Sequence, residues 1–174
     1  DMFKGTIVVD KHQKSSLPDV YAVGDCAMVY NRITGKGQWS AMGSTANITG
    51  RLLAKNLTGE DAPYGGCLGT GVVKLAEGLN AGRTGLTEEQ AIAAGYDVIT
   101  ATCVTDDKAH YYPDASTFVT KLIADKASHK LLGIQVLGGG SVDKMVDIAV
   151  TGIAMGAKVE DFDTLDYAYA PPFS

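Results

Sequence analysis

The chain has 174 residues, 45% hydrophobic and 20% charged, which is enough apolar material for one or two compact domains and far from a disordered composition. A formal net charge of -5 without any basic cluster excludes a nucleic-acid footprint and a polybasic membrane anchor. No apolar run approaches the ~18 residues of a membrane-spanning helix, and residues 1–15 lack a secretory-signal pattern.

In chain order, Thr6-Ile7-Val8-Val9-Asp10 reads as a short strand and residues 11–16 as a polar turn. Pro18-Asp19 then marks entry into Val20-Tyr21-Ala22-Val23, a short apolar run predicted to be a strand buried on both faces of a parallel sheet. Gly24 permits close backbone approach. Asp25 would stand at the carboxyl end of that strand, where open α/β sheets hold ligands and a carboxylate can accept hydrogen bonds from sugar hydroxyls; its other reading is a cap on the following segment. Residues 31–37 read as a hairpin or loop, and without a G-K-S/T ending they are not a phosphate loop.

The spacing of Ala46, Gly50, Leu53 and Leu57 predicts a helix over residues 40–57. Its small amino-terminal residues and free first-turn N–H groups suit an electron-rich carbonyl or anion, or else tight packing of helix on sheet. Trp39, just before it, reads as a core or interface anchor. Gly59 is the expected left-handed cap. Residues 60–68 are Gly/Pro-rich, and the domain boundary is placed there, giving domains 1–66 and 67–174.

The second half reads as a strand at 70–75, a turn at Gly82-Arg83-Thr84-Gly85, and a capping box Thr87-Glu88-Glu89-Gln90 opening a helix that stops at Gly95. Strands follow at 98–104, 117–124 and 131–137, the last two joined by a polar hairpin loop at 125–129. Ser141 should cap a helix with the apolar stripe Val142, Met145, Val146, Ala149 and Ile153, ended by Gly156, and 161–165 should form a short helix. This order indicates an α+β unit, an antiparallel sheet with helices on one face, preceded by a fragment of an α/β domain. The first strand begins almost at once and no helix closes the chain, so both ends read as cuts within a longer protein.

Three stretches of the first half, Ile7-Val8-Val9-Asp10, Ser15-Ser16-Leu17-Pro18-Asp19 and Val20-Tyr21-Ala22-Val23-Gly24-Asp25-Cys26-Ala27, resemble the second flavin-binding motif of the FAD-dependent pyridine nucleotide-disulfide oxidoreductases. Four stretches of the second half resemble that family's dimerisation domain: Gly69-Thr70-Gly71-Val72-Val73-Lys74, Thr84-Gly85-Leu86-Thr87-Glu88-Glu89-Gln90-Ala91, Leu132-Gly133-Ile134-Gln135-Val136-Leu137-Gly138, and the ending Tyr169-Ala170-Pro171-Pro172-Phe173-Ser174. That ending and His110-Tyr111-Tyr112-Pro113 are similar to the coenzyme A-disulfide reductase and NADH oxidase branch.

The resemblance implies an FAD-binding segment in which Asp25 takes the ribityl chain and the helix over 40–57 points its amino end at the flavin pyrimidine ring, with Gly24, Ala27 and Ala46 as further cofactor contacts. It implies NAD(P)H as reductant and a small disulfide, peroxide or oxygen as acceptor. Tyr111 and Tyr169 become the catalytic candidates, reaching the active site of the opposite subunit in a homodimer, where a phenol can donate a proton to a leaving thiolate or peroxide; the other reading is a tyrosine packed at a dimer interface. Tyr112 could take the role of Tyr111, and His110 could act as a base. Met145, Val146, Ile153 and Met155 are offered as apolar surface for a two-fold contact.

The redox cysteine of that branch and the dinucleotide fingerprint G-x-G-x-x-G are absent from these residues. Cys26, Cys67 and Cys103 are odd in number, show no C-x-x-C spacing, and read as inert thiols of a reducing cytosol. No metal-ligand spacing occurs. The chain by itself is therefore expected to lack turnover, and the rival to an enzyme fragment is a non-catalytic homodimerisation module that binds no cofactor.

Overall fold

Regular pairing is sparse in the first third of the chain. In the computed structural model, which describes residues 1–173, β1 (Met2–Phe3) and β2 (Thr6–Ile7) form one small antiparallel hairpin, and β3 (Val29–Tyr30) and β4 (Gly37–Gln38) form another. The loop of the second is closed by Asn31, whose side-chain oxygen accepts from the N–H groups of Ile33 and Thr34, both at 2.9 Å. Among the described residues, parallel pairing survives only as single bridges, Ile7 to Ala27 and Asn31 to Cys67.

The expected buried strand at Val20–Val23 does not form. Tyr21 makes one antiparallel bridge to Lys14, the Ala22 N–H donates to the Gln13 carbonyl at 3.0 Å, and Val20 is 42% exposed. A strand buried on both faces needs a ladder on each side. These residues find one short partner, so only Ala22 enters the small core with Val9 and Ala27. Gly24–Cys26 is a 3-10 turn.

α1 spans Gly43–Leu57, starting later than expected because Met42 is still extended (φ -128, ψ 131) as its N-cap. Its buried face is also rotated from the expected one. Thr45 and Thr49 are buried, whereas Leu57 is 60% exposed. Both threonines satisfy their hydroxyls locally: Thr49 donates to the Thr45 carbonyl at 2.8 Å, and Thr45 bonds the Ser40 hydroxyl at 2.9 Å. A buried hydroxyl with a partner costs little, so these threonines can take core positions that apolar spacing assigned to leucine. Gly59, at φ +93, follows the helix.

The chain divides into two units, Asp1–Cys67 and Leu68 onward. The second is built on a five-stranded antiparallel sheet: β5 (Gly71–Ala76), β6 (Leu79–Gly85), β7 (Val98–Asp106), β8 (Thr117–Asp125) and β9 (Leu131–Gly138), in the order β5-β6-β9-β8-β7. α2 (Glu88–Ala93) follows β6 and carries the reciprocal capping box: the Gln90 N–H donates to the Thr87 hydroxyl at 3.2 Å, and the Thr87 N–H to the Gln90 side chain at 3.0 Å. α3 (Val142–Met155) packs across β6 and β9, burying Val142, Val146, Ala149, Gly152 and Ile153, and ends at left-handed Gly156. Ser141 occupies the N-cap position, but its side chain makes no capping bond. A 3-10 segment runs from Val159 to Thr164.

Residues 82–85, expected to be a turn, lie inside β6. The hairpin turns instead at Glu77-Gly78, with Ala76 paired to Leu79. Gly82 is required by packing: a Cβ there would stand 2.7 Å from the Val146 side chain and 3.1 Å from that of Val72. Val146 and Ile153 are thus spent on the unit's own core, and of the four residues offered as contact surface Met155, 81% exposed, stays free. A second apolar surface runs along one register row of the sheet, Val73, Ala81, Leu137, Val119 and Val104, in which Val73, Leu137 and Val104 are exposed.

Candidate functional site

Asp25 sits in the Gly24–Cys26 turn, and three features fix that turn. Gly24 is left-handed at φ +73 and rests on α1, where a Cβ would be in ordinary contact, 3.6 Å, with that of Ala46. The Ala27 N–H closes the turn on the Gly24 carbonyl at 3.0 Å. The Trp39 indole N–H donates to the Asp25 main-chain carbonyl at 3.0 Å. The Asp25 side chain is exposed and makes no hydrogen bond or ion pair with the described residues. The first turn of α1 has neither a side-chain cap nor an acidic residue, so its positive end is uncompensated.

Gly24, Asp25 and Ala46 are therefore brought together. Ala27 is placed differently: it is 2% exposed, its N–H is committed to the turn, and it backs the turn from the core side. Trp39 is not a core anchor, since it is 61% exposed. Its tie to Asp25 had no sequence signal, because an indole N–H to a carbonyl fourteen residues away follows from folding alone.

A second cluster in the same unit was also missed. Cys67, buried, accepts from the Gln38 side-chain amide at 2.6 Å. Burial, and then the charge a Cys67 thiolate would carry, push the Tyr64 phenol up to about 12, partly offset by its hydrogen bond with Thr45 and by Arg32. Such a phenol stays neutral throughout the physiological range. Cys26 and Cys103 are exposed.

In the second unit the structure brings Tyr111 and Tyr169 together. Tyr111 lies in the loop from β7 to β8, whose base is clamped by Asp107: its N–H donates to the Ser116 carbonyl at 2.9 Å, and its carboxylate accepts the Ser116 N–H at 2.7 Å. Lys108 pairs with Asp107 at 3.9 Å. Tyr169 lies in the closing segment, which is held to α3 by Lys144 donating to the Phe173 carbonyl at 3.3 Å. The two phenols lie close enough to interact. Hydrogen bonding to Tyr111, and then the charge of a Tyr111 phenolate, hold Tyr169 above the ordinary phenol value. His110 meets Tyr111 edge to face, with ring centroids 5.7 Å apart. Tyr112 instead serves the loop backbone, donating to Ala109 and accepting from Ala115. Tyr169 also walls a cavity of about 850 Å³ whose floor includes Phe118, Leu122, Met145, Ile148 and Phe162. Ser174 lies outside the described residues.

A five-stranded antiparallel sheet with this strand order and a tyrosine-bearing closing segment can be compared with known families. Residues 77–174 match the family described as pyridine nucleotide-disulphide oxidoreductase, dimerisation domain. The chain belongs to this family.

Within it, the NAD(P)H sulfur oxidoreductase (CoA-dependent) of Pyrococcus furiosus is 36% identical over 170 residues, covering 98% of this chain and 38% of the relative. An NADH oxidase of Methanocaldococcus jannaschii is 31% identical over 171 residues, again covering 98% and 38%. Among solved structures, the NAD-dependent persulfide reductase from A. fulgidus superposes with a TM-score of 0.93 at 37% identity, covering 98% of this chain and 31% of that one. The chain thus spans about 38% of the length of the curated relatives it matches. Among the described residues no helix is long and apolar enough to cross a membrane, and no cluster of three His, Cys, Asp or Glu side chains could hold a metal ion.

Proposed function

We propose that the chain is the flavin-contacting and dimerisation portion of an FAD-dependent NAD(P)H oxidoreductase, a cytosolic homodimer that reduces a small disulfide, a peroxide or oxygen. The observation that carries this is the meeting of Tyr111 and Tyr169 within the dimerisation-domain unit. The names of the relatives, a sulfur oxidoreductase and NADH oxidases, support a sulfur acceptor and oxygen among these.

The first unit fits a flavin. The Asp25 carboxylate is unengaged and exposed, so it can accept from ribityl hydroxyls. The uncapped N–H groups at the start of α1 can face an electron-rich ring carbonyl. When bound, FAD supplies the two-electron relay between nicotinamide and acceptor. What this chain adds is orientation at Asp25 and Ala46, and proton delivery at the Tyr169 Oη. Reducing a disulfide generates a thiolate, and a neutral phenol beside it can hydrogen-bond to it or protonate it. With its pKa raised, largely by Tyr111, the Tyr169 phenol is neutral at physiological pH and has a proton to give. A two-fold assembly would set the phenol pair of one subunit at the flavin site of its partner. Support for a second copy comes from the exposed apolar row at Val73, Leu137 and Val104 and from exposed Met155.

The test is Tyr169→Phe in the full-length enzyme, followed by stopped-flow absorbance. Flavin reduction by NAD(P)H should keep its rate while the later acceptor step slows about 10²-fold, the low end of general acid catalysis. Unaltered turnover would leave Tyr169 as packing.

A further inference from the structure

The only tryptophan of the chain stands beside the candidate flavin turn rather than in a core. We infer that Trp39 is a positioning residue for that turn, an inference that rests on the assignment of Asp25 to the flavin.

A tryptophan is ordinarily held by the area it buries. Trp39 is 61% exposed among these residues, so packing against them does not explain its place. Its one polar atom is engaged: Nε1–H donates to the carbonyl of Asp25 at 3.0 Å. The acceptor belongs to the residue whose carboxylate would meet the ribityl chain, so the bond fixes the peptide from which that carboxylate projects. Trp39 lies between β4 (Gly37–Gln38) and α1 (Gly43–Leu57), on the segment that delivers the first turn of α1. One bond therefore links the two elements proposed to hold the flavin.

The link acts together with the packing of Gly24 on Ala46. On one side the turn rests against α1, where a Cβ at Gly24 would lie 3.6 Å from that of Ala46. On the other it hangs from the indole. Without the indole bond the turn keeps its internal closure, Ala27 N–H to Gly24 carbonyl, but the Asp25 peptide can rotate against α1. The turn would persist while its register to the helix became loose, and a cofactor site loose by a fraction of an ångström loses affinity.

The test uses the full-length holoenzyme with Trp39→Phe, which keeps an aromatic ring and removes the donor, beside Asp25→Asn. FAD affinity is read by flavin fluorescence, the flavin midpoint potential by dye equilibration, and folding by the thermal midpoint. Trp39→Phe should weaken FAD roughly three- to tenfold, the effect of one hydrogen bond. It should also shift the flavin potential and leave the thermal midpoint of the flavin-free protein in place. If Asp25→Asn weakens FAD and Trp39→Phe leaves both affinity and potential at wild-type values, the positioning role is overturned and the Asp25 assignment stands. If neither variant weakens FAD, the Asp25 assignment falls and the role of Trp39 falls with it. A lowered thermal midpoint with unchanged FAD affinity would make Trp39 purely structural, which also overturns the inference.

Discussion

Gly85→Ala should cost the second unit about 3–5 kcal/mol, from three additive causes. Gly85 closes β6 opposite Gly133, at φ +74. The left-handed conformation alone costs an alanine about 1–2 kcal/mol. The new Cβ would stand 2.2 Å from the Leu132 carbonyl oxygen, 2.8 Å from the Gly133 Cα and 2.9 Å from the Ile153 side chain. Two of these atoms are backbone and cannot swing away. That carbonyl accepts the Leu86 N–H at 2.8 Å, so relieving the clash stretches a bond worth about 1 kcal/mol and strands a donor at a further ~1–2 kcal/mol. Gly78→Ala is the matched control, since Gly78 sits at φ +69 with open space around its missing side chain and should lose only about 1–2 kcal/mol. Urea unfolding followed by circular dichroism gives both values from midpoints at constant m. If Gly85→Ala costs no more than Gly78→Ala, the close approach of β6 to β9 is not what requires a glycine at 85.

The phenol pair makes a titration prediction: in Tyr111→Phe, Tyr169 should lose its proton nearer the ordinary phenol value, as seen by ultraviolet difference titration, because its folded pKa is raised by Tyr111. The sign follows from a raised folded pKa: the pair's contribution to stability is complete below the ordinary phenol value and disappears as pH climbs through the raised one. An unmoved Tyr169 titration would mean the phenols do not share a bond. Glu160 works in the opposite direction, since its own backbone N–H first and the His129 ring second hold its carboxyl below the usual range. Its contribution is complete above the ordinary carboxylate value and is lost as pH falls through the lowered one, so Glu160→Gln should flatten the acid limb of a stability–pH curve; an unchanged limb would show the pair with His129 to be idle.

Signals that close within a few residues were legible in the sequence. The Thr87–Gln90 capping box, the left-handed stops at Gly95 and Gly156, and the long strands at 98–106 and 117–125 all depend on local spacing. The failures share a different cause. Val20–Val23 has strand composition, yet a strand exists only with partners, and Lys14 is nearly all it finds. Gly82 and Gly85 carry turn composition, yet they are glycine because Val146 and the Leu132 carbonyl come close from elsewhere in the fold. The α1 face was misplaced because apolar spacing outranked threonines whose hydroxyls find partners nearby, Thr49 inside the helix and Thr45 at Ser40 just before it. At the site, resemblance pointed to Asp25, Tyr111 and Tyr169 singly. That the two phenols meet follows from how their loop and closing segment fold, through contacts such as Asp107–Ser116 and Lys144–Phe173 that leave no pattern in the chain.

The exposure of the phenol pair bears on how it can act. Tyr111 is 68% exposed and Tyr169 70%, with Phe173 nearby in sequence at 75%. Between two phenols facing water, a hydrogen bond exchanges against bonds to solvent and contributes little net. Covered by apolar surface, the same bond strengthens, and a thiolate brought against it has no competing water to accept from. Within its own unit neither ring is covered, although the groups that orient them, Asp107 and Lys144, are already engaged. The pair is thus organised before it is desolvated. If the proposed dimer buries the pair, assembly and proton donation become a single event: the second copy would supply the low dielectric that turns two solvated tyrosines into a directed donor, and an unassembled chain would keep the geometry without the chemistry.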